Sequence, residues 1–164
     1  DPSRVCLGVD LAADRSGASI AAAWLDNDGD VCLSIVASGP GTDWVPRALT
    51  DLQAAGYQWI GCDPAGPTRT LAADLENDGH PITTLGTRDY ATACQLLLDR
   101  AKAGRLVHDG NQELTDALAA VVLRRLSGVE AFDAPKSPRP IDALRAAAAA
   151  VWAACQPRPG IQIY

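Results

Sequence analysis

Aromatic side chains make up only 5% of this chain, with a single Phe, and alanine carries much of its 48% hydrophobic share. A core built from such residues implies closely packed helices rather than bulky ring stacking. No run approaches the roughly 18 apolar residues that a membrane-spanning helix requires, so no span is expected. The opening Asp1-Pro2-Ser3-Arg4 has neither a basic start nor an apolar signal core. It also lacks a Met and enters an apolar run almost at once, as a domain cut from a longer chain would. No C-x-x-C pair accompanies the five widely spaced cysteines, which argues against a zinc site and for buried, reduced thiols in a cytosolic setting. There is no internal repeat. Basic charge is in deficit: the formal net charge of −6 excludes a grip on nucleic acid by bulk charge alone, while leaving room for a local basic face.

With 164 residues, 21% of them charged, the chain reads as one ordinary globular domain with enough length for a real core. Residues 5–11 form a nearly unbroken apolar run, the signature of a central strand covered on both faces. Residues 19–25 and 31–38 read as two further strands, joined by the hairpin signal Asp26-Asn27-Asp28-Gly29-Asp30. Ser38-Gly39-Pro40-Gly41-Thr42 breaks the chain, and Thr42 or Asp43 is placed to cap a helix through residue 55. Residues 57–62 form a short strand, 68–77 a helix, 81–85 a strand, 87–103 a longer helix and 106–108 an extended piece. Asn111 caps a helix whose apolar side is Leu114, Leu118, Val121, Val122 and Leu126, closed by Gly128. Arg124-Arg125 would then complement the dipole at that helix's end. Residues 129–133 are extended, 134–140 form a constrained loop, and Pro140 opens a last helix that reaches residue 155. The order implies an α/β fold whose mixed central sheet has three antiparallel strands and then parallel ones, flanked by helices.

Carboxylates stand at the ends of these elements. Asp10 ends the first strand, Asp63 ends the strand after the first helix, and Asp142 sits on the first turn of the last helix. Each has an ordinary explanation: a turn residue for Asp10 and Asp63, a helix-dipole partner for Asp142. If the first and fourth strands are parallel neighbours, however, both strand-end acids reach the same sheet edge, where open α/β sheets bind ligands. Three converging carboxylates repel one another unless a cation sits among them. Hard oxygen ligands suit Mg²⁺ or Mn²⁺, and two such ions about 4 Å apart can drive phosphodiester hydrolysis. Lys136 and Arg139, just ahead of Asp142, are candidate phosphate contacts, as are Arg15 and Arg69, which follow the other two acids. His80 reads as a structural turn residue and His108 as a loop residue. The four tryptophans are too scattered for a base-stacking platform.

Gly8-Val9-Asp10-Leu11-Ala12 with Asp14, then Ile60-Gly61-Cys62-Asp63, then Pro140-Ile141-Asp142-Ala143-Leu144 opening an alanine-rich helix, resembles the nuclease domain of phage terminase large subunits. The segment Gly104-Arg105-Leu106-Val107-His108 with Asn111 and Leu114 extends the likeness, which runs from residue 5 to about 155. The resemblance implies a ribonuclease H-like fold and a metal-dependent endonuclease that cuts concatemeric viral DNA during genome packaging. It implies that Asp10, Asp63 and Asp142 hold two Mg²⁺ or Mn²⁺ ions, Asp10 shared between them, with Asp14 auxiliary. It further implies double-stranded DNA as substrate, an N-terminal ATPase domain on the same full-length chain, contact with the small terminase subunit and portal, and action in the cytoplasm of an infected bacterium. Two departures stand out. No G-x-x-x-x-G-K-[ST] loop occurs, so these residues supply no ATPase motor, and Lys136 and Arg139 occupy the neighbourhood where some relatives carry a His. A Holliday-junction resolvase or transposase-like nuclease shares the acid pattern, and a non-catalytic docking module of a packaging motor is the reading from another class. The sugar-kinase and actin group also opens on a strand, Gly and Asp, but needs two lobes.

Overall fold

The computed structural model describes residues 1–57 and 59–157. Gln58, within the fourth expected strand, and most of the Pro-rich tail lie outside the described residues. Strand β1 (Cys6–Leu11) is buried along its whole length, as its unbroken apolar run predicts for a strand covered on both faces. It pairs antiparallel with β2 (Gly17–Leu25), which pairs antiparallel with β3 (Val31–Pro40). The turn between β2 and β3 is tied by Asp26, whose Oδ1 accepts from the backbone N–H of Asp28 and of Asp30, both at 2.9 Å. Helix α1 (Val45–Ala54) leads to β4 (Trp59–Cys62), parallel to β1, and α2 (Thr68–Asn77) leads to β5 (Ile82–Thr84), parallel to β4. Helix α3 (Thr87–Lys102) returns the chain to β6 (Leu106–His108), parallel to β3 at the opposite edge. The sheet order is β5-β4-β1-β2-β3-β6, the mixed sheet expected from sequence.

Alternation along β1 sorts the two faces. Leu7, Val9 and Leu11 pack with Val45 and Leu49 of α1 and Leu71 and Leu75 of α2. Cys6, Gly8 and Asp10 face the other way, toward the last helix, α5 (Asp142–Cys155). That helix buries Ala146, Ala147, Ala148 and Ala150 completely, and α3 and α4 (Gln112–Ala120) complete its layer. The small side chains let α5 lie close on the sheet. A Cβ added to Gly8 would collide with the carbonyl oxygen of Ala146 and come within 2.6 Å of the Ala150 nitrogen, both backbone atoms of α5.

Several local expectations need correction. The helix expected to run from Asn111 to Leu126 stops at Ala120, and Val121 is already extended at ψ 133°. Asn111 caps α4 as expected, accepting from the Leu114 N–H. The following residues form a separate two-stranded hairpin, β7 (Leu123–Leu126) and β8 (Val129–Phe132). Its turn, Ser127-Gly128, has both φ angles positive, 50° and 85°, the geometry that tight hairpins favour. The helix yields because the Val122 N–H is taken by Ser137 Oγ at 3.0 Å and its carbonyl by the Asp133 N–H at 2.8 Å. Arg124 and Arg125 therefore lie on a strand and complement no helix dipole. Neither Thr42 nor Asp43 caps α1, whose boundary residue is Trp44 with no side-chain cap. Strand β3 runs on through Gly39-Pro40 because the long β2 continues to pair with it, Gly17 opposite Pro40. Pro140 precedes α5 rather than lying in its first turn; Ile141 is the boundary residue and Asp142 the first helical one.

Because neither backbone can retreat from the other, Gly8→Ala should destabilise the fold by about 3 kcal/mol or more, at the upper end for overpacked cores. A urea titration followed by circular dichroism measures it, and a change below about 1 kcal/mol would contradict this close approach.

Candidate functional site

Register brings the acids together. Gly8 of β1 stands opposite Gly61 of β4, so Asp10 and Asp63, each two residues on, leave the sheet at the same end and on the α5 face. On the other side, Asp10 is paired in register with Ser19 of β2, and the Ser19 hydroxyl donates to Asp142 Oδ2 at 2.6 Å. Asp142 is held there because α5 starts at this point of the sheet. The hydroxyl of Thr68, first residue of α2 and fully buried, donates to Asp10 Oδ1 at 2.8 Å and accepts from the Leu11 N–H at 3.3 Å.

Among these acids lies a side chain that the sequence reading did not single out. Arg145, one turn into α5 and only 7% exposed, places Nη1 3.1 Å from Asp10 Oδ2 and Nη2 2.5 Å from Asp63 Oδ2. Its Nε donates to the Tyr90 hydroxyl at 3.2 Å, and that hydroxyl donates to the Phe132 carbonyl at 2.8 Å. The guanidinium carbon is 5.2 Å from the Tyr90 ring centroid, within cation–π range. A signal for Arg145 does exist in the sequence. It is the only charge between Ala143 and Cys155, and a charge in an otherwise apolar helix must find a buried partner. Thr68, Ser19 and Tyr90 carry no comparable signal, since their partners are 58, 123 and 42 residues away along the chain.

Asp10 is 1% exposed. Burial pushes its carboxyl up to about 7; Arg145 and the Thr68 hydrogen bond oppose the shift, while Asp142 and Asp63 reinforce it. Burial by itself would lower the proton affinity of Arg145, but Asp10, Tyr90 and Asp63 outweigh it and hold the guanidinium above its ordinary value. Asp10 Oδ2 is buried without a hydrogen bond, because the Arg145 contact lies off the hydrogen-bonding direction and is Coulombic only. An oxygen so placed, beside a second and third carboxylate, is a donor suited to a hard divalent cation. The donor set fits such an ion in chemistry. In arrangement it is spread: among the described residues no three His, Cys, Asp or Glu side chains converge closely enough to hold an ion together.

Of the remaining candidates, Asp14 and Arg139 lie beside this centre. A cavity of about 200 Å³ is lined by Asp10, Asp14, Arg139 and Asp142, so Asp14 and Arg139 stand at its mouth. Asp14 is exposed, and its carboxylate accepts from the Ser16 N–H at 2.9 Å, which holds its carboxyl below the usual range. Arg15 and Lys136 are exposed. Arg69 is exposed too, with its Nε donating back to the Pro64 carbonyl at 3.3 Å. A second cavity, about 120 Å³, adjoins Asp63, Tyr90 and Arg145, and there Arg124 of β7 also faces the site. His80, after α2, pairs with Gln53 of α1, and His108 Nδ1 accepts locally from the Gly110 N–H at 3.0 Å. Burial pushes the Cys62 thiol up to about 12 and that of Cys94 up to about 11, so neither is an activated nucleophile.

The raised Asp10 carboxyl has a consequence for stability. The folded chain binds this proton more tightly than the unfolded chain, whose carboxyl titrates near 3.8, so the contribution of Asp10 is fully present below about pH 4 and lost as pH rises through about 7. The lowered carboxyls of Asp14 and Asp109 act in the opposite sense and only below the ordinary carboxylate range, outside this window. In chelator-treated protein the urea midpoint should therefore fall between pH 5 and pH 7.5, and Asp10→Asn should flatten that fall. An unchanged slope in the variant would remove Asp10 as its source.

No family model matches the chain, and no curated protein matches it. Solved structures do. The large terminase of bacteriophage HK97 aligns with 93% of the chain at a TM-score of 0.70 and 17% identity. The large terminase nuclease from thermophilic phage G20c, crystallised with bound magnesium, aligns with 90% at 0.62 and 18% identity; a structure of the same nuclease contains cobalt. The nuclease domain of the large terminase from Thermus phage P74-26 aligns with 89% at 0.59 and 18% identity. The chain spans 40% of the HK97 protein and 79% of the magnesium-bound G20c nuclease. With a six-stranded mixed sheet in the order given above and helices on both faces, the chain has the ribonuclease H-like fold of the large-terminase nuclease domains.

Proposed function

We propose that this chain is the nuclease domain of a phage large terminase, a divalent-metal-dependent endonuclease acting on double-stranded DNA. One observation carries the reading: Asp10, Asp63 and Asp142 gather at one end of the sheet, with a buried Asp10 oxygen that no hydrogen bond satisfies. The shared fold supports it, as do the magnesium and cobalt bound by the G20c nuclease.

Asp10, Asp63 and Asp142 are the residues that would hold Mg²⁺ or Mn²⁺, two ions on the reading from sequence. When bound, such ions supply an activated water and a positive charge for the leaving oxygen of a phosphodiester. The chain's own groups do the rest. Thr68 fixes the rotation of the Asp10 carboxylate, and Ser19 fixes that of Asp142. Arg139, which lines the Asp10 cavity, and the exposed Arg15, Arg69 and Lys136 would contact backbone phosphates. Asp14 serves as an auxiliary acid in the same cavity. The wider setting is a longer chain with an N-terminal ATPase domain, in the cytoplasm of an infected bacterium. There this domain would cut concatemeric DNA in concert with the small terminase subunit and portal.

Plasmid cleavage with Mn²⁺ tests the reading. Asp10→Asn, Asp63→Asn and Asp142→Asn should each lower the rate about a thousandfold or more while leaving the circular dichroism spectrum intact. Folded Asp10→Asn and Asp142→Asn proteins that cleave at the wild-type rate would sink it. Linear duplex should be cut at least as fast as a four-way junction; strong junction preference would reassign the domain to the resolvases.

A further inference from the structure

The position of Arg145 bears on how many ions this site takes. Two carboxylates that would share an ion, Asp10 and Asp63, are instead bridged by one guanidinium, at 3.1 and 2.5 Å. That cation cannot be removed by deprotonation, because an arginine keeps its charge at any pH a protein tolerates. Nor is it a loose surface group. It is 7% exposed, anchored through Nε to the Tyr90 hydroxyl, packed over the Tyr90 ring, and carried on a helix pressed directly on the sheet. Arg145 and the acids also divide the surrounding space. Asp10 and Asp142 line one cavity; Asp63 and Arg145 line the other. Consistent with that division, no three acids converge among the described residues.

We propose that in the DNA-free protein Arg145 takes the place of one of the two divalent ions, so that a single ion binds, between Asp10 and Asp142. Arg145 is then a positioning residue. It neutralises the Asp10–Asp63 side and keeps Asp63 turned away from the ion, and no second site forms while it stays. The inference rests on the metal-binding reading above and deepens it, replacing an expected pair of ions by one ion and one fixed guanidinium.

Isothermal titration of the chelator-treated, DNA-free protein with Mn²⁺ alone reads this directly. The wild type should bind one ion per chain. Asp142→Asn should weaken that ion about a hundredfold, whereas Asp63→Asn should change it less than about threefold, because Asp63 is engaged by Arg145 rather than by the ion. Arg145→Met removes the charge but keeps an apolar side chain, and it should bind two ions per chain. Arg145→Lys retains a charge and should return the count to one. Thermal unfolding supplies a second readout: Mn²⁺ should raise the Tm of Arg145→Met more than that of the wild type. Two ions on the wild type, or one ion on Arg145→Met with unchanged affinity, would overturn the role of Arg145 while leaving the metal-binding reading intact. Loss of the ion in Asp63→Asn to the same degree as in Asp142→Asn would also overturn it, and this comparison stands even if Arg145→Met fails to fold. Absence of any Mn²⁺ binding by the wild type would overturn both readings.

Discussion

The contact between α5 and β1 is the constraint on which the rest of the molecule depends. Gly8 presents no side chain, and the residues of α5 that face it are alanines, so helix backbone and strand backbone meet almost without intervening atoms. Such an approach gains dispersion contacts over a long interface. It also leaves the helix little freedom to slide or rotate. The beginning of α5 is thereby fixed relative to the end of β1, and that relation places Asp142 beside Ser19 and Arg145 against Asp10. A bulkier pair of surfaces would pack as well in terms of area, but it would hold the charged groups farther apart and with less definition.

Charge balance is the second consequence. An acid as deeply buried as Asp10 is costly to ionise, and two further acids nearby raise that cost. The fold answers with one guanidinium fixed by two acids, a tyrosine hydroxyl and a ring face, and with a threonine hydroxyl on the opposite oxygen. The compensation is partial: one oxygen of Asp10 still lacks a hydrogen bond, and its carboxyl still titrates far above its ordinary value. Incomplete satisfaction of a buried carboxylate is a cost to the fold, and it is the physical feature on which the proposed metal-binding reading of this end of the sheet rests.

Much of the fold is legible in the residues because local pattern and tertiary environment agree. The apolar run of β1, the Asp26 turn and the span of α2 each follow from short-range chemistry. The helix that was expected to continue to Leu126 shows where agreement fails. Leu114 and Leu118 set up a helical stripe that Val121 and Val122 extend, yet the Val122 peptide is claimed by Ser137 and Asp133 from the loop ahead of α5. Nothing near Val122 in sequence announces those partners. Ser127-Gly128 could have been read as a tight hairpin turn instead of a helix stop, since both endings favour a glycine with positive φ.

The sequence by itself determined which acids could matter and at which element ends they stand, because apolar periodicity and strand length are local properties. It also determined the closeness of α5, through a glycine in β1 and a run of alanines. What the three acids make together was decided by tertiary structure alone. Strand register put Asp10 and Asp63 side by side, helix placement brought Ser19 to Asp142 across 123 residues, and only the folded chain shows a guanidinium lying between two of the acids. The reason is physical. A charge's partner is chosen by distance in space and by the scarcity of water around it, and neither quantity is written in the spacing of residues along the chain.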